Sequence, residues 1–264
     1  MLAERIDLTV AVSQSIYLNL YNEYYVMPLR IPKLMLGTSP FIGAGQFGMK
    51  AYEYRKRFFQ NESNMKQLFI QSARHDIKAV QLIAYEPLVN ALKAAVKESG
   101  EDFFIAATIP SGRKFEAYLE LIEPLKPEII AVHALSSDAL DARIEGWIKM
   151  IRAVGASPAA ATHYPGETIA ELDNAGFDFE VYLAPVNPIG YAMEPNSEST
   201  LQALKKTEKQ VIAIKPLAAG RLKPTKALFS FIYNYADAVS VGITSYAEME
   251  ETYAVAKEAC LDLG

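Results

Sequence analysis

The sequence is poor in residues that build covalent or metal frameworks. Of 264 residues one is Cys, Cys260, and three are His. A single cysteine excludes a disulfide framework, a four-cysteine zinc site and a cysteine-held iron–sulfur cluster. The net charge is −5 with no run of five like charges, which argues against a nucleic-acid surface. No apolar stretch reaches the roughly 18 residues that a membrane span needs. Glu4, Arg5 and Asp7, followed by an interrupted apolar stretch, speak against a secretory signal. The expectation is a cytoplasmic protein acting on a small-molecule substrate, with neither nucleic-acid nor membrane partner. Its oligomeric state is not readable.

What the chain has is rhythm. Short β-rich runs alternate with longer amphipathic stretches, and the spacing predicts strands at 33–40, 79–84, 103–109, 128–134, 158–163, 180–185, 211–216 and 238–244. Most are continuous apolar runs such as Ile129-Ile130-Ala131-Val132, as expected of parallel strands buried on both faces. Helical spacing marks Met65–His75, with Leu68, Phe69 and Ala73 on one face, and Arg143–Val154, with Ile144, Trp147, Ile148 and Ile151. Lys126-Pro127, Gly155 and Gly176 stand where helices should stop, and Ser245-Tyr-Ala-Glu248 reads as a capping box. Strict alternation predicts an α/β fold, a (β/α)8 TIM barrel filling 1–264 as one domain, with the barrel proper over 33–260. Residues 1–30 form an N-terminal extension in which the alternation of Leu8–Leu20 suggests a hairpin. The long connection at 41–61 is the second surplus and a candidate lid or solvated basic loop.

In such a barrel the active site collects at the C-terminal ends of the strands. Those ends offer Gln81, Tyr85, His133, His163, Asn187, Lys215, Thr244 and Ser245. His133 is read as a proton donor or carbonyl-orienting group. Gln81, His163 and Asn187 are read as substrate contacts. Lys215 closes a buried strand, so it needs a partner or a shifted pKa; it fits an anion contact, an ion pair or an imine-forming amine. His75 falls on the opposite end of the barrel. Gly43-Ala-Gly45-Gln-Phe-Gly48 matches a dinucleotide fingerprint, but no acidic residue follows at the required strand end, so the glycines are read as loop flexibility. Gly220, Arg221, Thr244 and Ser245 form a candidate phosphate seat on the loops after strands 7 and 8. No carboxylate pairs in sequence with His133 or His163, so no metal site is expected.

Val211-Ile-Ala-Ile-Lys-Pro-Leu-Ala-Ala-Gly-Arg-Leu and Ala238-Val-Ser-Val-Gly-Ile-Thr-Ser-Tyr resemble the seventh- and eighth-strand motifs of the aldo-keto reductase superfamily. The resemblance implies NADP as cofactor, held by Gly220, Arg221, Thr244 and Ser245, and reduction of a carbonyl beside an Asp, Tyr, Lys and His. His133 fits the histidine. Tyr85 lies one place early for the proton donor, Gln81 replaces the Asp, and Thr108-Ile109 stands where the Lys belongs. Three readings follow: a reductase-type oxidoreductase with altered catalytic residues Tyr85, His133 and Lys215; a lyase or isomerase using Lys215 on a small phosphorylated or carboxylated substrate; or a non-catalytic barrel binding a ligand or a protein.

Overall fold

The computed structural model describes residues 29–112 and 114–262. The chain divides into two compact units, Met1–Ile31 and Pro32–Gly264. The hairpin expected at Leu8–Leu20 lies outside the described residues. In the second unit eight parallel strands close on themselves in sequence order: β1 Leu34–Gly37, β2 Ala79–Ile83, β3 Phe104–Ile109, β4 Ile129–Val132, β5 Ser157–Ala161, β6 Val181–Pro185, β7 Gln210–Ile214 and β8 Ala238–Gly242. β1 pairs with β8 in register from Leu34↔Val239 to Gly37↔Gly242, which seals the barrel. The expected TIM barrel is thus the observed fold.

Around it lie α1 Lys50–Tyr54, α2 Glu62–Arg74, α3 Glu86–Ser99, α4 Phe115–Ile122, α5 Ala134–Ser137, α6 Ile144–Ala153, α7 Pro165–Asn174, α8 Ser197–Lys206, α9 Lys226–Tyr233 and α10 Tyr246–Leu261. Their buried stripes are the predicted ones: Leu68, Phe69 and Ala73 on α2, and Ile144, Ile148 and Ile151 on α6. Burying each large apolar side chain contributes roughly 1.5–3 kcal/mol, so the helical ring is anchored by these stripes. Gly155 and Gly176 end their helices in the left-handed region, as their type permits.

The 41–61 connection differs from a loop. It holds a 3-10 turn at Gly45–Phe47, then α1, then a turn of π-helix at Arg55–Phe59. Phe41 and Phe58 are buried and their rings meet at 5.0 Å, and Phe41 also meets Phe69 of α2 at 5.7 Å, which fixes the segment to the helical ring. Arg55 and Arg57 lie over the rings of Phe59 and Phe58. Gly43 explains part of the glycine pattern: at φ 63° a Cβ would collide with the Ala51 carbonyl, so the turn requires glycine.

Candidate functional site

The C-terminal mouth carries two cavities. The first, about 380 Å³, lies over the ends of β1, β7 and β8; Gln81, Lys215, Gly220, Thr244, Glu248 and Glu251 are among its walls. The second, about 770 Å³, opens beyond β3 and β4, with His133 on its rim.

Lys215 follows β7 directly and adopts φ 54°; Ala218 and Ala219 beside it are also left-handed. Three non-glycine residues in this region within five positions concentrate strain where the chain leaves the strand, a pattern that accompanies functional sites. The Lys215 carbonyl accepts from the Ala218 N–H at 3.0 Å and from Asn187 Nδ2 at 3.4 Å. Among the described residues nothing pairs with its ammonium. Burial, the largest influence, holds the Lys215 pKa below its ordinary value, while the charge of Asp138 opposes it.

Asp138 is the residue the sequence reading missed. It follows α5, the single short turn that begins after His133. One carboxylate oxygen accepts from Thr162 Oγ1 at 2.6 Å and Thr168 Oγ1 at 3.0 Å; the other accepts from the His163 N–H at 3.1 Å and lies 3.9 Å from His163 Nδ1. The expectation that no carboxylate pairs with either histidine is therefore corrected for His163. The contact joins residues 25 positions apart and leaves no periodic trace in the sequence. Its signal was only an acid five residues beyond His133.

His133 and His163 meet edge to face with centroids 5.9 Å apart. His133 is not inside a strand, as expected, but caps α5, its Nδ1 accepting from the Leu135 N–H at 3.2 Å. The neutral ring therefore carries its proton on Nε2, the remaining nitrogen. Burial lowers its pKa, Lys215 pushes the same way and Asp138 opposes. Burial also lowers the His163 pKa, followed by Lys215, with Asp138 opposing and His133 adding a small decrease. Both rings are neutral at pH 7.

Other predicted residues separate from this cluster. Tyr85 caps α3, packs edge-on against Phe59 at 5.8 Å and lines neither cavity, so its predicted role as proton donor is not supported by its position. Asn187 lines neither cavity, and its amide binds Tyr191 N and O and the Lys215 carbonyl. It is a positioning residue for the Lys215 turn. Gln81 lines the first cavity, donating to Thr108 Oγ1 at 3.0 Å.

The phosphate seat does not survive as a set. Arg221 donates to the Ala218 carbonyl and lies 4.2 Å from the Tyr191 ring, outside the cavity wall. Ser245 caps α10, accepting from the Glu248 N–H at 3.2 Å, and faces a different hollow beside Arg57. The capping box is only half formed, because the Glu248 carboxylate accepts instead from Thr244 N at 2.7 Å and Thr244 Oγ1 at 2.6 Å. A phosphate at Thr244 would meet that carboxylate, with Glu251 in the same wall, and like charges in contact repel. Of the expected seat, Gly220 and Thr244 line the cavity. The same wall carries Lys50, Lys215 and Lys223, so the obstacle to a phosphate here is local: Glu248 occupies the Thr244 donors.

Among the described residues no helix is long and apolar enough to cross a membrane. No protein-family model matches the chain, and no curated protein matches its sequence. Solved structures do. The fold is that of the aldo-keto reductases. A thermostable aldo-keto reductase, Tm1743, solved with the inhibitor epalrestat, is similar at TM-score 0.62 and 13% identity, over 90% of this chain and 97% of that one. An aldo-keto reductase from Brucella melitensis is similar at TM-score 0.62 and 12% identity, over 85% and 89%. The barrel is wider than that family: thiamine phosphate pyrophosphorylase from Pyrococcus furiosus is similar at TM-score 0.51 and 12% identity, over 77% and 91%. At such identity the likeness defines the fold, and the reaction has to be argued from the site.

Proposed function

We propose that the barrel mouth is the active site of a lyase- or isomerase-type enzyme that condenses a small carbonyl compound with Lys215. One observation carries this reading: an unpaired, half-buried lysine on a strained turn, whose charge is felt by His133 and His163 and which is itself held by the charge of Asp138. The lowered pKa leaves a larger fraction of free amine near neutral pH than an exposed lysine has. The Nζ lone pair adds to the carbonyl carbon and the C=O electron pair moves to oxygen. Two protons then convert that oxygen to water, the nitrogen loses its own, and an imine plus water results. His133, with its proton on Nε2, suits the donor role. His163, neutral and beside Asp138, suits the base that removes a proton from the carbon next to the imine.

Borohydride reduction in the presence of pyruvate or glyceraldehyde 3-phosphate, followed by peptide mass mapping, tests this. Lys215 gains the reduced adduct near pH 7 ahead of exposed lysines. An unmodified Lys215 peptide at saturating carbonyl rejects the reading.

A second reading, NAD(P)H-linked reduction of a small carbonyl compound, is supported by the fold likeness and by the first cavity. It requires Glu248 to leave Thr244. Titration of NADPH fluorescence tests it, and no binding at millimolar cofactor rejects it.

A further inference from the structure

The second cavity has a lopsided hydrogen-bonding character. Ser111, Lys114, His133, Ser136 and Trp147 lie in its wall. Among the described residues, the Ser111 and Ser136 hydroxyls, the Lys114 ammonium, the His133 Nε2–H and the Trp147 indole N–H have no protein partner. These five groups can all donate, and Lys114 and Trp147 cannot accept. The wall's one carboxylate is Glu116, in the first turn of α4. Trp147 is held rigidly: Phe115 stacks on one face at 4.9 Å and 10°, and the Arg143 guanidinium lies 4.9 Å from its ring. Arg143 is in turn bound to Asp141. The fixed indole therefore offers its N–H edge rather than a face. His133 belongs to this wall and also to the cluster around Lys215.

We infer that the second cavity seats the anionic group of the carbonyl substrate, a carboxylate or a phosphate ester, so that the substrate is a keto acid, an aldehydo acid or a sugar phosphate. This rests on the Lys215 reading for the carbonyl end, while the anion seat stands on its own donors. A ligand rich in acceptors satisfies donors that otherwise face only water, and a negative charge suits Lys114.

The chain contains one tryptophan and 15 tyrosines, so fluorescence excited at the red edge, where only tryptophan absorbs, reports on Trp147 in this cavity. The probes are cyclohexanecarboxylate, inorganic phosphate and the uncharged isostere cyclohexylmethanol. A saturable change with at least one anion is expected, with none for the alcohol at equal concentration; the anion that saturates lower identifies the carboxylate or the phosphate source. Lys114→Gln, an exposed substitution, should weaken anion binding roughly tenfold, about one charge-assisted hydrogen bond. No response to either anion, an equal response to the alcohol, or unchanged affinity in Lys114→Gln overturns the proposal. Borohydride trapping is read separately: loss of trapping with a retained Trp147 response rejects the Lys215 chemistry and keeps the seat, and the converse rejects the seat alone.

Discussion

At the scale of single residues, Lys215 decides the most. Lys215→Met should abolish borohydride trapping while raising stability, because the wild-type ammonium works against folding. Its folded pKa is lowered, so the destabilisation applies in full below that value and vanishes above the unfolded pKa of about 10.4. The variant should therefore melt a few degrees higher than wild type at pH 7, with the gap closing toward pH 10.5; thermal unfolding by circular dichroism at both pH values checks the sign. Asn187 makes the opposite case. It donates to Tyr191 O and the Lys215 carbonyl and accepts from Tyr191 N. Asn187→Ala leaves buried backbone groups unpaired and should lower stability by about 1–3 kcal/mol. It should also slow trapping at Lys215 while leaving its pH profile in place.

At the scale of elements, the start of the helix after the last strand departs from the capping box its sequence suggests. Glu248 reaches back to Thr244 rather than to Ser245, so the start of α10 supplies its own anion. Glu248→Ala should lower stability by about 0.5–2 kcal/mol, the usual worth of such a cap. By vacating the Thr244 amide it should also tighten NADPH at least roughly tenfold in a fluorescence titration, since one like charge is removed. The elements themselves were legible. Every predicted strand begins within one residue of the observed one, because strands buried on both faces are written as unbroken apolar runs. Position at a strand end was enough to put Lys215 and Gln81 on the wall of the first cavity. It failed where a turn decides direction: Arg221 swings onto Tyr191, Tyr85 onto Phe59, and His133 caps a helix instead of ending a strand. Asp138 was lost for a different reason, since its partners Thr162, His163 and Thr168 come from the next βα unit.

At the scale of the whole molecule, the first cavity depends on closure of the ring, because it straddles the β1–β8 seam. The seam is tight at Gly37. A Cβ there would lie 2.7 Å from Ser240 Oγ and 3.2 Å from the Val241 backbone carbon. Hydroxyl rotation relieves the first contact, whereas only strand separation relieves the second. Further ties come from the C-terminal helices. Tyr233 donates to the Lys33 carbonyl at 2.9 Å, and Tyr253 bonds Ser72 at 2.8 Å; Ser72 already donates to the Ile77 carbonyl, so Tyr253 is the donor. Held at several points, the seam cannot widen freely. Gly37→Ala should therefore cost about 1–3 kcal/mol, the range for overpacking, and lower the melting temperature by roughly 2–4 °C per kcal/mol for a barrel of this size. Adding Ser240→Ala removes the 2.7 Å contact and should recover part of the loss but not all, since the backbone contact remains. Thermal unfolding of wild type, both single variants and the double variant separates the terms. Full recovery would assign the strain to the hydroxyl alone. No loss in Gly37→Ala would mean that the ring closes with slack, and the first cavity would then not be rigidly bounded on its β1–β8 side.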